Sequence, residues 1–249
     1  MESLKAVMNA TRTTLSDVLR RWRRGMARAC RWRHDGAVIP GRKRGLSPVI
    51  VLLVLPLCLM PWPASAAISL VQQTPVIDSG SAQTSVTATF PLNMTAGNVL
   101  VATLRVGAGS VPSSVTGGGT TLTLAKSQPR GSWTVNIYYG TISTGGTKTV
   151  TLTGPSDRYD LAVSEWSGLS GTLDATGGQA GTSGSVPGPA YSGDVITTNA
   201  SDLVVSVNSI DCYNVLPSAG PTNSFLALNL LASPRPLFQA YRIVSSTGT

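Results

Sequence analysis

The stretch GSWTVNIYYGTISTGGTKTVTLTGPSDRYDLAVSEWSG, residues 131–168, decides the fold class of this 249-residue chain. Its first part, residues 133–139, alternates from residue to residue, with Trp133 and Tyr139 on one face and Tyr138 on the other. A period of two among β-branched and aromatic residues is typical of a β-strand with one buried face. The pattern predicts a strand here, with Tyr138 directed away from the core.

Two more strands follow in the same stretch. Residues 148–153 alternate apolar residues with threonines, and residues 159–166 alternate again. Turns at 143–146 and 154–157, rich in Gly, Ser, Thr and Pro, separate the three strands. Short strands at this spacing predict an all-β fold, an antiparallel β-sandwich that we expect to be jelly-roll-like.

The N-terminal part of the chain has the pattern of an export signal. Basic residues 42–44 precede the apolar run 48–60, and small residues follow up to Ala66. This order predicts a basic leader and signal peptide over residues 1–66, cleaved between Ala66 and Ala67. The alternative is an uncleaved membrane anchor, but the run has 13 residues, against about 20 needed to span a bilayer. We therefore expect a secreted or cell-surface protein whose membrane contact is limited to the signal peptide.

The positive charge of the chain belongs to this leader. Of 19 basic and 11 acidic residues, 12 and 3 lie in residues 1–66, which leaves 7 basic and 8 acidic residues in 67–249. A region with a net charge of about −1 offers no basic surface for a polyanion. Nucleic acid is therefore not an expected partner.

Histidine and cysteine counts restrict the chemistry further. His34, Cys30 and Cys58 all lie in the leader, so residues 67–249 contain no histidine and one cysteine, Cys212. Such a region cannot build a Ser-His-Asp or Cys-His site, a histidine-ligated zinc site or an internal disulfide. No cofactor or metal is expected.

Residues 67–249 have the length and pattern of a single β-sandwich domain. Residues 107–121 and 177–193, rich in Gly, Ser and Thr, are interpreted as loops. The chain stops in a turn-like segment after residue 244, so we expect the domain to be truncated at its C-terminal end. Alternation or apolar runs predict further strands at 68–72, 84–90, 99–106, 122–125, 195–198, 202–207, 223–231 and 237–244.

The order of several short motifs resembles a known family. The motifs are AGNVLVA from Ala96, WTVNIYYG from Trp133, GGTKTVTL from Gly145, VSEWSG from Val163 and DLVV from Asp202. They are similar to β-sandwich modules of large secreted or surface-exposed bacterial proteins. The resemblance implies the fold and a final strand beyond the point that matches Thr249, and it carries over no catalytic residue.

Glu165 is the most unusual residue of the pattern. By alternation it lies on the buried face of its strand, where an unpaired carboxylate is costly. We expect either a position at the strand end that water reaches or a partner, for which Arg105 is the candidate. Both residues are predicted to be structural. Asp160 falls on the opposite face, so it does not form an acid–base pair with Glu165.

Two aromatic residues are candidates for ligand contact. Tyr138 and Trp166 both alternate outward, so they could stack on sugars. Asp157 and Asp160 could contribute oxygens to a calcium ion, but their spacing matches no calcium loop, and a solvated turn is the preferred interpretation.

The predicted function is that of a non-catalytic structural or adhesive module, with polysaccharide or cell-envelope components as partners. A carbohydrate-binding module that uses Tyr138 and Trp166 is the alternative. A glycan hydrolase that depends on carboxylates is third. The sequence does not indicate an oligomeric state.

Overall fold

The computed structural model describes residues 2–9, 67–180, 193–209, 224–231 and 236–248. These residues form three β-sheets, their strand pairings are antiparallel, and this part of the chain contains no helix. The fold is all-β and antiparallel, consistent with a β-sandwich. Accordingly, the described part of the chain has no helix long and apolar enough to cross a membrane.

A six-stranded sheet lies between the other two sheets. Its order is β2-β11-β5-β9-β8, with β3 also paired to β11. Because β5 and β11 are buried at almost every position, both faces of this sheet are covered. Its strands are β2 (Ser69–Gln73), β3 (Ile77–Asp78), β5 (Val99–Gly107), β8 (Thr123–Arg130), β9 (Trp133–Thr141) and β11 (Asp160–Ser167).

A four-stranded sheet covers one face of the central sheet. Its order is β4-β10-β6-β7. Alternate residues of β4 and β10, such as Val86 and Leu152, point into an apolar core that also contains Leu104 and Leu161 of the central sheet. The strands are β4 (Gln83–Thr89), β6 (Ser114–Gly117), β7 (Thr120–Thr121) and β10 (Thr149–Asp157).

A five-stranded sheet packs on the other side. Its order is β12-β1-β13-β15-β14. A second apolar core, with Leu203 and Val205 of β13 and Val101 and Ile137 of the central sheet, fills the space between them. The strands are β1 (Glu2–Asn9), β12 (Leu173–Ala180), β13 (Asp202–Ser209), β14 (Leu226–Leu231) and β15 (Leu237–Val244).

Most of the predicted strands are present within a few residues of their predicted bounds, and the predicted strand at 237–244 coincides with β15. Two loop predictions and one turn prediction are wrong. The predicted turn at 154–157 lies within β10, where the pairing with β4 shifts between Thr153 and Asp157. The segment 107–121 contains β6 and β7, and residues 177–180 belong to β12, while 181–192 lie outside the described residues. Thr116 and Gly117 pair with β7 and β10, so neighbouring strands supply the order that composition does not indicate. The predicted strand at 195–198 is reduced to an isolated bridge between Thr197 and Gly248.

The strand β1 was not predicted, since it lies inside the segment interpreted as a leader. The strand β1 belongs to the same compact unit as the described residues from Ala67 onward. The apolar run 48–60, Ala66, His34 and all three cysteines lie outside the described residues. Ala67, the predicted first residue after cleavage, is exposed next to the start of β2.

Candidate functional site

Glu165 is the centre of a buried hydrogen-bond network. Its side chain is 0% exposed. One carboxylate oxygen, Oε1, accepts hydrogen bonds from the Thr95 backbone N–H at 2.9 Å and from Asn98 Nδ2 at 2.6 Å. The other oxygen accepts a hydrogen bond from Gln72 Nε2 at 2.5 Å. Three neutral donors therefore hold the buried carboxylate, which meets the requirement that a buried charge be hydrogen-bonded.

The network fixes the loop between β4 and β5. Besides donating to Glu165, Gln72 accepts a hydrogen bond from the Leu92 backbone N–H at 3.0 Å. The loop is thus connected to β2 and β11 of the central sheet through the side chains of Gln72 and Glu165. Glu165 thus joins this loop to the central sheet, and it does not lie at a strand end that water reaches.

Arg105 is not the partner of Glu165, and this part of the prediction is wrong. In the β5–β11 register Arg105 lies opposite Asp160, whereas Glu165 lies opposite Leu100. The guanidinium carbon of Arg105 lies 4.2 Å from the ring centroid of Trp133, a cation–π contact. Because antiparallel strands run in opposite directions, Arg105 meets the opposite end of β11 from the one that carries Glu165. Arg105 and Asp160 are each 1% exposed.

The predicted aromatic platform is not present. Tyr138 is 6% exposed and Trp166 is 0% exposed. They also belong to different cores, Tyr138 to the first and Trp166 to the second, on opposite faces of the central sheet. The prediction failed because it assumed one buried face per strand, while this sheet is covered on both sides.

Each of these aromatic side chains has internal contacts. Trp166 donates from Nε1 to Ser164 Oγ at 2.8 Å, and its ring lies edge-to-face on Tyr241 with the centroids 4.9 Å apart. Burial, followed by the electrostatic effect of Tyr159, raises the pKa of the Tyr138 hydroxyl. Both residues stabilise the cores and are inaccessible to a sugar.

The calcium hypothesis for Asp157 and Asp160 finds no coordinating cluster. Asp157 Oδ1 accepts the Arg158 backbone N–H at 2.7 Å, as in a turn. Among the described residues, no group of three or more His, Cys, Asp or Glu side chains could hold a metal ion. Arg158 itself makes a bidentate ion pair with Asp78, which connects β3 to the β10–β11 turn.

The outer face of the four-stranded sheet presents rows of hydroxyl groups, which we call the threonine face. One row crosses all four strands, since Thr87, Thr151, Thr116 and Thr121 are successive partners in the register. Thr87 and Thr151 are linked through their hydroxyl oxygens at 3.2 Å. Further rows lie beside it; the remaining members are Ser85, Thr89, Ser114, Thr149 and Thr153.

The threonine face is uncharged and largely exposed, with Thr151 and Ser114 half-buried. Its residues alternate with buried Val86, Val115 and Val150 of the first core, so their side chains point away from that core. Neighbouring strands of a sheet lie about 4.8 Å apart, so the row forms a regular array of hydroxyls. Such an array can both donate and accept hydrogen bonds to a neutral, hydroxyl-rich ligand. The alternation of 148–153 predicted its outward threonines, but only the register shows that they align with those of β4 and β6.

A pair of carboxylates that was not predicted, Asp174 and Asp202, lies at one end of the five-stranded sheet. Asp202 begins β13 and is 0% exposed. Burial, and next the adjacent Asp174 carboxylate, raise the pKa of Asp202 to about 6. Asp174 accepts hydrogen bonds from Thr198, from the backbone N–H at 2.7 Å and from the hydroxyl. An acidic residue just before the apolar run 203–205 was the available signal, but nothing in the sequence links it to Asp174.

Comparison of the chain with protein-family models, with curated proteins and with solved structures found no match in any of the three. The resemblance to bacterial β-sandwich modules therefore stays a prediction from short motifs.

Proposed function

We propose that this protein is a non-catalytic structural and adhesive β-sandwich module, of jelly-roll type, exported by a cleaved signal peptide and acting at the cell surface or outside the cell. The observation that carries the proposal is the threonine face, which is uncharged, largely exposed and backed by a buried core. The ligand class that fits it is a neutral polysaccharide of the cell envelope or its surroundings. This replaces the aromatic platform as the contact surface.

The threonine face complements a neutral polysaccharide through its aligned hydroxyl groups. A sheet face rich in threonine is also what β-propensity favours on a solvated surface, so composition alone does not indicate binding. The alignment of Thr87, Thr151, Thr116 and Thr121 across four strands adds a fixed geometry. Because a rigid array loses little conformational entropy on contact, many weak hydrogen bonds to a repetitive polymer can add up.

The buried polar residues support a structural role. Glu165 and Asp160 are 0% and 1% exposed, so these two carboxylates do not face solvent where a glycan would reach them. Glu165 instead secures a loop to the central sheet. The hydrolase hypothesis therefore has neither of its two best residues in an accessible position.

The experiment is a retention assay of the purified protein on insoluble neutral polysaccharides and on isolated bacterial cell envelopes. We expect Thr87→Lys with Thr151→Lys to reduce retention about tenfold, as loss of one or two hydrogen bonds of about 1 kcal/mol each implies. The matched control is Thr123→Lys, at an exposed position of β8 outside the threonine face. Absence of retention by the unsubstituted protein, or equal retention by all variants, would overturn the proposed surface.

Export is tested separately by the intact mass and N-terminal sequence of the secreted product. The proposal expects a chain that begins at Ala67. A product that begins at Met1 would contradict the predicted cleavage.

A further inference from the structure

The N-terminal strand β1 occupies an interior position of the five-stranded sheet. It pairs with β12 over the register Glu2↔Ala180 to Met8↔Leu173, and with β13 over Glu2↔Ser209 to Asn9↔Asp202. It is antiparallel to both neighbours. Without β1, the facing edges of β12 and β13 would each lose a row of backbone hydrogen-bonding partners, which makes them a template for another strand.

The position of β1 in the sheet also includes a buried apolar site for the side chain of Met8, which we call the Met8 seat. Met8 is 0% exposed and belongs to the second core, together with Leu203 and Val205 of β13. The strand β1 packs on β8 and β9 of the central sheet. Removal of β1 would therefore open a groove whose floor is apolar and whose two walls are strand edges.

The connection between β1 and the rest of the fold is long. The 57 residues 10–66 separate Asn9 from Ala67. The entropic cost of closing a loop rises only slowly with length, so the length of this connection adds little to the cost of placing β1 in the sheet. Strand pairing and Met8 hold β1. The predicted cleavage between Ala66 and Ala67 would break the covalent link between β1 and the other strands.

We propose that the gap between β12 and β13 is a strand-acceptor site, filled by Glu2–Asn9 in the intact chain and open to an extended peptide segment of another polypeptide once those residues are cut free. The occupant runs antiparallel to both walls and places a bulky apolar residue at the position of Met8. Backbone hydrogen bonds to two edges supply affinity, and the Met8 seat supplies specificity. The inference uses the proposed export only as the event that frees the site.

A second copy of the exported chain is a less suitable occupant. If that chain begins at Ala67, it lacks the one segment whose register on both walls is established. A peptide from a different polypeptide needs only an extended conformation and one apolar residue in the right place.

The first measurement is hydrogen exchange on the intact full-length chain. We expect the backbone amides of residues 2–9 and 203–207 to be protected together, because they belong to adjacent paired strands. Rapid exchange throughout residues 2–9, with 203–207 protected, would overturn the proposal at its premise.

The second measurement uses the full chain with a specific protease site inserted between residues 10 and 66. After cleavage, the protein is unfolded and refolded with an excess of a labelled peptide of sequence ESLKAVMN, which corresponds to residues 2–9. We expect one labelled peptide bound per chain and recovery of the protection of 203–207. The uncut protein, treated in the same way, should take up much less peptide, because its own segment competes from within the chain.

Matched peptides test the Met8 seat. The peptide with Met8→Leu should bind like the original, and the peptide with Met8→Asp should bind at least about tenfold more weakly, because it would bury a charge. Binding of the Met8→Asp peptide as tight as that of the original peptide would overturn the proposal. So would the absence of any peptide uptake by the cut protein. Dimers of the cut protein without bound peptide would assign the gap to a second copy and would also overturn it. Loss of polysaccharide retention with normal peptide uptake would affect only the adhesive function.

Discussion

The substitution Asp202→Asn tests whether Asp202 is buried beside Asp174 at the end of the five-stranded sheet. The pKa of this fully buried carboxyl is raised from an ordinary value of 3.8 to about 6. The folded protein therefore binds a proton at Asp202 more tightly than the unfolded chain does. For an acid with a raised pKa, stability is greatest below about pH 4 and decreases as the pH rises to about 6.

The magnitude follows from the difference in pKa. A shift of about 2 pH units at 1.36 kcal/mol per unit corresponds to about 3 kcal/mol. Asparagine has nearly the same shape and does not ionise, so the substitution removes this pH-dependent cost. We expect the variant to gain up to about 3 kcal/mol relative to the parent between pH 4 and pH 8.

The assay is urea unfolding followed by tryptophan fluorescence, with parent and variant measured at pH 4 and pH 8. Comparing the two pH values cancels any pH-independent effect of the new amide group. Asp194→Asn, at an exposed position, is the control and should show no such gain. A stability difference between D202N and the parent that is the same at both pH values would refute the reasoning.

Three substitutions at buried positions test the two cores, each by the free energy of unfolding in urea. Glu165→Gln should lose about 1.5–3 kcal/mol, because an amide N–H₂ would face one of the donors that now bind the carboxylate; a loss below about 0.5 kcal/mol would contradict the network. Tyr138→Phe should be neutral or stabilise by about 1 kcal/mol, since the Tyr138 hydroxyl is buried with no hydrogen-bond partner among the described residues. A clear loss would show that the hydroxyl is satisfied. Trp166→Ala should cost about 3–5 kcal/mol, as for a core aromatic residue, whereas a cost within about 0.5 kcal/mol would indicate the exposed position that alternation predicted.

Hydrogen exchange can show whether the secreted product has lost β1, which lies inside the predicted leader. The strand β1 lies in the basic part of the leader, before the apolar run 48–60 of the predicted signal peptide. If cleavage occurs after Ala66, the secreted domain no longer carries β1 in the same chain. Hydrogen exchange of β13 in the secreted product, compared with the intact chain, should then show reduced protection of residues 203–207. Equal protection without any bound peptide would show that β12 and β13 close the gap by themselves.

Local pattern determined the strands. Alternation in residues 133–139, 148–153 and 159–166 predicted β9, β10 and β11, and the outward threonines of β10 are exposed or half-buried as expected. This succeeded because the side chains of a strand point alternately to opposite faces, a property of the backbone that needs no knowledge of neighbours. The burial of Glu165 followed from the same rule.

Which neighbours covered each face was decided only by the tertiary structure. Tyr138 and Trp166 alternate as predicted, but each faces a neighbouring sheet where solvent was predicted, Tyr138 the four-stranded sheet and Trp166 the five-stranded one. The approach of Asp174 to Asp202, and the insertion of β1 between strands more than 160 residues later in the chain, likewise depend on contacts between distant segments. A sequence read along the chain records the period of its strands, whereas strand order and the stacking of sheets arise from long-range packing that no local period encodes.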